Sequence, residues 1–156
     1  MKLRVVATAI GAAAVALIAS SPASAQTLSH YDHKDPYKTG CASGARVVET
    51  AKIIRKDRGP VGSLKLMWSG KCKTNWIEAK TPKSATGTIF VRTADGRKDS
   101  FRFSSGRTRH WGNMLMANNM CAWGGASIRW DVQHGPGKSG SGKSAFGMTD
   151  TKGACR

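Results

Sequence analysis

The sequence predicts an all-β fold, a small antiparallel barrel or sandwich stapled by two disulfides. Three observations lead to this prediction: short segments in which apolar and polar residues alternate, turn signals between those segments, and four cysteines. The clearest alternation is at Leu64, Leu66 and Trp68, which share one parity. A period of two is typical of a strand with one buried face.

Residues 64–79 predict a central hairpin around which the domain is organised. Ser69-Gly70-Lys71 interrupts the alternation, and the β-prone run Thr74-Asn75-Trp76-Ile77 follows it. Cys72 lies at the joint between the two runs, where a disulfide would anchor the hairpin to another part of the fold.

Segments before and after the hairpin also favour strands. Residues 45–55 are rich in β-branched side chains and predict a strand, with a short helix as the alternative. Residues 86–93 and 100–104 predict a second hairpin, and Asp95-Gly96 between them is a turn signal. Further strands are predicted at 114–116, 120–123 and 128–132.

The first 25 residues have the features of a secretory signal peptide. Lys2 and Arg4 precede an apolar stretch from Val5 to Ala19, and Ala23-Ser24-Ala25 is typical of a cleavage site. The apolar stretch is too short to span a membrane comfortably, and no second one follows. The sequence therefore predicts a secreted, extracellular protein that starts at Gln26 and has no transmembrane segment.

Composition divides the rest of the chain into three parts. Residues 26–40 are polar and are expected to form an extended N-terminal lead-in with a turn. Residues 41–134 hold the predicted strands and form the β-rich domain. Residues 135–156 form a tail rich in Gly, Ser and Lys that is expected to be pinned by Cys155. Within it, residues 135–147 cannot bury enough apolar surface to order themselves.

The four cysteines, Cys41, Cys72, Cys121 and Cys155, all follow the predicted cleavage site. Four cysteines in a secreted chain indicate two disulfides, for which three pairings can be drawn. We favour Cys41–Cys72 with Cys121–Cys155, which would close two loops and contribute roughly 3–4 kcal/mol each. The chain has no C-x-x-C pattern and no paired Cys/His spacing, so no metal or other cofactor is expected.

The charge balance favours anionic partners. The net charge of +16 becomes +14 when Lys2 and Arg4 are removed with the signal peptide. Wall polymers, acidic lipids, nucleic acid and acidic proteins all suit such a charge, and simple solubility is the alternative because the charges are spread along the chain.

One predicted loop, Gly106–Gly112, mixes cations with an indole. Such mixtures bind phosphates or stack on rings. The alternative is a solvated loop in which Trp111 caps the edge of the core. The candidate binding surface consists of Trp76, Arg107, Arg109, His110 and Trp111.

No catalytic motif is evident. Glu49 and Glu78 are the only glutamates, and either could work with His110 as an acid–base pair. The nucleophile motif G-x-S-x-G is absent, and paired cysteines leave no free thiol. Residues 137–144 match the P-loop pattern G-x-x-x-x-G-K-S, but the 12 residues after Ser144 leave no room for the helix that a P-loop requires. We therefore expect neither nucleotide binding nor catalytic residues.

Two motifs resemble those of a known family. Asp35-Pro36-Tyr37-Lys38-Thr39-Gly40-Cys41 resembles the pattern D-P-x-x-T-G-C, and Cys72-Lys73-Thr74-Asn75-Trp76 resembles C-x-T-N-W. Together they resemble the YjfA-like family of small secreted bacterial proteins, a domain of unknown function common in actinobacteria, over residues 31–130. In that family the domain occurs alone after a signal peptide or behind helix-turn-helix regulators.

The resemblance implies a binding or sensing module rather than an enzyme. It supports the pairing of Cys41 with Cys72, because both belong to the shared motifs, and it brings no catalytic residues. We expect a secreted, non-catalytic module that engages an anionic cell-surface polymer or a secreted protein partner, within a larger assembly or alone. The alternatives are a small hydrolase of the phosphodiesterase type and an inhibitor of a secreted enzyme that presents Gly106–Gly112.

Overall fold

The fold is all-β, as predicted. The computed structural model describes residues 30–130, 143–151 and 155, so the predicted signal peptide, residues 1–25, lies outside the described residues. The described residues form nine strands and no helix, and thus no helix that could span a membrane. The strands are β1 (Arg46–Arg55), β2 (Gly59–Ser69), β3 (Thr74–Lys80), β4 (Thr86–Thr93), β5 (Lys98–Phe103), β6 (Arg109–Trp111), β7 (Leu115–Met116), β8 (Ala122–Trp130) and β9 (Lys143–Met148).

The strands form one antiparallel sheet that curls into a nearly closed barrel. Their order is β5-β4-β8-β9-β1-β2-β3-β6, with β7 paired to β3. The first and last strands of this order meet through side chains, because the rings of Phe103 on β5 and His110 on β6 stack with centroids 3.9 Å apart. Among the described residues no backbone ladder joins β5 to β6. We call this unpaired junction the seam.

The barrel interior is filled by alternate residues of the strands. Leu64 and Leu66 on β2, Ile53 on β1 and Ile77 on β3 are completely buried, whereas the intervening Lys65 is exposed. The alternation that predicted the hairpin therefore identifies the inward face correctly. The buried cluster consists of Ile53, Leu64, Leu66, Ile77, Ala79, Ala85, Ile89, Phe103, Ala126, Ile128 and Ala145.

Residues 30–44, which we call the N-terminal segment, form a series of turns rather than an extended lead-in. The Asp35 carboxylate accepts hydrogen bonds from the backbone N–H groups of the two residues after Pro36, and this pattern favours a turn. Gly40 and Gly44 have φ angles of 75° and 72°, which reverse the chain without steric cost. The segment packs over the outer side of β3, in a second small core with Cys72, Trp76 and Met114.

Both favoured disulfides are present. Cys41–Cys72 joins the N-terminal segment to the turn between β2 and β3. Cys121–Cys155 joins the residue before β8 to the region after β9. The described chain contains no free cysteine.

Part of the predicted tail is a strand, which corrects the expectation that residues 135–147 would not order. Lys143–Met148 is β9, and it pairs with β8 on one side and β1 on the other. Gly147 lies so close to β1 that a Cβ atom would be 2.5 Å from the carbonyl oxygen of Lys52. The composition was misleading because close approach between strands requires a small residue at this position.

The structure describes only the last two residues of the P-loop match at 137–144. Residues 137–142 lie outside the described residues, and so do the last two residues of the strand predicted at 128–132. Lys143 and Ser144 begin β9 rather than the helix that follows a phosphate-binding loop.

The assignment of the inward face can be tested with two adjacent isoleucines of β1. Ile53 is completely buried, whereas Ile54 is 43% exposed. Ile53→Ala should lower the free energy of unfolding by about 2–5 kcal/mol, because it leaves a cavity in the barrel. Ile54→Ala should lower it by about 1 kcal/mol or less. Urea unfolding with intact disulfides measures both, and equal losses would contradict the assignment.

Candidate functional site

Four of the five residues of the predicted binding surface, Arg107, Arg109, His110 and Trp111, line one pocket, and Trp76 does not. Trp76 is completely buried under the N-terminal segment, and His110 is buried against Phe103. Arg107 and Arg109 are exposed, and Trp111 is half-buried. Trp76 therefore cannot contact a partner, because the N-terminal segment covers the face of β3 to which it belongs.

The pairing of β6 with β3 explains which side chains of the predicted loop Gly106–Gly112 face the core and which face outward. Part of Gly106–Gly112 is the strand β6, in which His110 lies opposite Ala79 and Trp111 lies opposite Glu78. Ala79 belongs to the barrel core, so His110 faces the interior. Burial lowers the pKa of His110, and the hydrogen bond that His110 Nε2 donates to the backbone carbonyl of Arg107 acts in the opposite direction. Arg109 and Trp111 face the N-terminal segment instead.

A hydrogen-bonded cluster joins β6 and β3 to the N-terminal segment. The Tyr37 hydroxyl donates to Glu78 Oε1, and the Arg109 guanidinium donates to Glu78 Oε2 at 2.9 Å and to the Tyr37 oxygen. Glu78 is buried. Burial first, and then the hydrogen bond to Glu78, raise the pKa of Tyr37 to about 12. Hydrogen bonding to Glu78 also raises the pKa of Arg109.

On the other side of the seam, the N-terminal segment is held by β5 and by the turn before it. His33 Nδ1 lies 2.5 Å from Oδ2 of the buried Asp99 on β5. Arg97, in the turn between β4 and β5, donates to Asp32 Oδ2 at 2.7 Å. The N-terminal segment therefore crosses the seam and connects its two edges.

A pocket of about 310 Å³ opens at the seam. It has apolar walls from Phe101 and Trp111 and cationic side chains at its rim. Arg109 is already paired with Glu78, which leaves Lys38 and Arg107 to meet an anion. The lining residues are Asp35, Lys38, Phe101, Arg107, Arg109, His110, Trp111 and Asn113.

The predicted acid–base pair is not assembled. Glu78 and His110 lie on opposite faces of neighbouring strands, as the pairing of β3 with β6 requires. Glu49 Oε1 accepts a hydrogen bond from the backbone N–H of Asp150 at 2.6 Å. In the described part of the chain no hydrogen bond joins either glutamate to His110. Likewise, no three His, Cys, Asp or Glu residues of that part are grouped so that they could hold a metal ion.

The sequence missed a second surface, on the outward side of five neighbouring strands, β5, β4, β8, β9 and β1. We call it the outer basic face. A groove of about 460 Å³ lies at one end of it. Arg102 lies opposite Thr88 across β5 and β4, and Arg129 lies opposite Thr86 across β8 and β4. The lining residues are Thr86, Gly87, Thr88, Arg102, Phe103, Ser104, Ser127 and Arg129.

The two arginines of this groove are exposed. Neither Arg102 nor Arg129 forms an ion pair with another described residue. The five strands contain only two carboxylates, Glu49 and Asp99. Asp99 is buried, and Glu49 lies opposite the core residue Leu66. Within the described strands, the outer basic face therefore carries cations and hydroxyls without a carboxylate.

An aromatic patch continues the outer basic face next to the groove. Phe146 is 49% exposed and Met148 is 46% exposed. The rings of Phe90 and Phe146 have centroids 6.5 Å apart and planes inclined by only 17°. Gly125 makes room for the Phe90 ring, because a Cβ atom there would lie 2.9 Å from it.

The sequence contains part of the information that defines the outer basic face. Thr86, Thr88, Phe90 and Arg92 share one parity, as do Ser127 and Arg129. Alternation shows which side chains point the same way along one strand. It does not show that β4, β8, β9 and β1 are neighbours, and β9 was not predicted at all.

The cluster around Tyr37 predicts a loss of stability at alkaline pH. The folded protein holds the Tyr37 proton up to a pKa of about 12, against 10.0 for an ordinary tyrosine. Stability should therefore decrease as the pH rises between these two values, because the unfolded chain releases the proton first. Tyr37→Phe should remove this contribution and the tyrosinate absorbance that develops near the higher value. Tyr31→Phe is the matched control, and loss of the signal in that variant instead would contradict the assignment.

Comparison with protein-family models, with curated proteins and with solved structures found no match for this chain. Function is therefore inferred from the residues and their geometry.

Proposed function

We propose that the protein is a secreted, non-catalytic interaction module that binds an anionic polymer through the outer basic face. The observation that carries the proposal is the charge pattern of five adjacent strands. Arg102, Arg129, Arg92 and Lys98 lie on this face, and its strands direct no carboxylate outward. Neighbouring cations without counterions nearby create a positive potential that attracts and steers polyanions.

The groove has the donors that an oxyanion requires. A guanidinium presents several N–H groups in a planar fork that matches phosphate, sulfate and carboxylate groups. Arg102 and Arg129 border the groove from opposite sides of β4. Hydroxyl groups of Thr86, Thr88 and Ser127 lie between them and add neutral donors. An anionic group can therefore be held by both charge and directed hydrogen bonds.

The dimensions of the face suit a polymer. Neighbouring strands are about 4.8 Å apart, so five strands give a width of roughly 20 Å. Cations lie at the groove and again over the Phe90 ring, where Arg92 Cζ is 5.9 Å and Lys98 Nζ is 5.8 Å from the ring centre. A chain of repeating anionic units can contact both groups of cations at once.

Secretion and the absence of catalysis have separate support. Two disulfides suit an oxidising compartment outside the cytosol, in agreement with the predicted signal peptide. The resemblance to the YjfA-like family also favours a small secreted module. Glu49, Glu78 and His110 do not converge, which weakens the hydrolase alternative. An inhibitor would need a protruding loop, but Arg109–Trp111 is paired in the sheet.

The proposal predicts that removal of the groove arginines weakens binding to polyanions. Arg102→Ala combined with Arg129→Ala should reduce affinity for dextran sulfate and for polyphosphate about tenfold and make its salt dependence shallower. Fluorescence anisotropy over a salt series measures both quantities. Thermal unfolding checks that the variant is folded.

The matched control removes the same charge elsewhere. Lys65→Ala combined with Lys71→Ala changes β2 and the turn between β2 and β3, and β2 is not one of the five strands of the outer basic face. Affinity should change less than about twofold. Equal losses in the two double variants would overturn the proposal, because total charge rather than the outer basic face would then explain binding.

A further inference from the structure

We infer that the polymer bound by the outer basic face is single-stranded nucleic acid, with bases stacked on Phe90 and Phe146 and phosphates held by the flanking cations. This inference rests on the proposed function and names its ligand class. It uses the aromatic patch, which the attraction of a polyanion alone does not explain.

The patch has the form of a stacking platform. Phe146 is about half exposed on β9, and the nearly parallel rings of Phe90 and Phe146 cover Gly125 and the space beside Ser127 on β8. A contiguous exposed apolar patch on a protein surface is typical of an interaction site. Single strands stack their bases on such rings, and each stacked base contributes substantially to affinity.

Cations and rings alternate along one direction of the face. On β4 the outward residues run from Thr86 and Thr88 beside the groove arginines, through Phe90, to Arg92. Arg92 lies opposite Lys98 on β5. The path from Thr86 to Arg92 covers six residue steps, or about 20 Å. A strand laid along it would have phosphate donors at both ends and rings in the middle.

The missing residue types favour nucleic acid over an acidic glycan. Carboxylates and side-chain amides are strong acceptors for sugar hydroxyls, and serine and threonine hydroxyls can accept as well as donate. The strands β1, β4, β5, β8 and β9 contain no Asn or Gln, and their two carboxylates do not lie on this face. Phosphates need donors only, which the arginines, Lys98 and the hydroxyls of this face supply, whereas the side-chain oxygens that its strands direct outward are hydroxyls alone.

The same composition predicts how strongly binding depends on the nucleotide sequence of the ligand. Bases are identified by hydrogen bonds to their edges, most often from Asn, Gln, Asp, Glu or Arg. Because the face lacks amide and carboxylate side chains, and because its arginines are assigned to the phosphates, it should bind single strands with little sequence preference. Rings that project from a sheet cannot reach the stacked bases of a duplex, so single strands should bind more tightly than duplexes.

The test compares oligodeoxythymidylate with polyphosphate of equal charge, because polyphosphate has no rings. Fluorescence anisotropy at fixed salt should give tighter binding of the oligonucleotide by at least tenfold. Phe90→Ala combined with Phe146→Ala should lose at least tenfold in affinity for the oligonucleotide. Binding of polyphosphate should stay within about twofold. Phe146→Ala alone serves as a second variant, since it keeps the packing of Phe90 on Gly125 and should show the same loss in part.

Phe101→Ala is the matched control. Phe101 is also an exposed phenylalanine, at 40%, but it lies in the seam pocket. This variant should bind both polymers as the wild type does. Three outcomes would overturn the inference. They are equal affinity for the two polymers, tighter binding of a duplex or of a sulfated glycan than of the oligonucleotide, and no effect of the Phe90 and Phe146 substitutions. In those cases the proposed function survives if the groove arginines still matter, and it fails only if they do not.

Discussion

Closure of the barrel depends on the N-terminal segment. The sheet has two edges, β5 and β6, and in the described chain they meet through the Phe103–His110 stack without a backbone ladder. The N-terminal segment crosses this seam and is hydrogen-bonded to both sides, through His33 on one side and Tyr37 on the other. Cys41–Cys72 fixes the segment covalently to the hairpin. An unpaired edge is a template for association with other chains, and this cover protects it.

The same arrangement separates charge across the molecule. Asp32 and Asp35 belong to the N-terminal segment, while Asp99 and Glu78 bind it from the barrel. Carboxylates are therefore concentrated where they hold the seam, and Arg97 and Arg109 are neutralised beside them. The outer basic face keeps its cations, and the two carboxylates of its strands, Glu49 and Asp99, do not lie on it. A modest number of acidic residues thus produces both a closed barrel and an outer basic face.

Patterns along the chain predicted most of the strands. Which side chains are buried and which form a surface depends on pairing between segments that are far apart in the sequence. The alternation of Leu64, Leu66 and Trp68 identified a strand and its buried side, because both depend only on neighbours along the chain. The burial of Trp76 could not be predicted, since it depends on a segment more than 30 residues earlier in the sequence that folds over it. β9 was missed because Gly147 and Ala145 are small for reasons of packing between strands, and small residues in sequence resemble a linker. The outer basic face was missed with it.

The position of β9 also governs when the sheet can be completed. This strand lies between β8 and β1. Its contact with β1 pairs Phe146 with Ile54, and positions 146 and 54 are 92 residues apart in the sequence. Until Lys143–Met148 is available, the facing edges of β1 and β8 have no strand between them. Pairing over such a separation is slow, because a long loop must close before the new contacts can stabilise it. A chain made from its amino terminus therefore cannot complete the sheet until Lys143–Met148 has been synthesised.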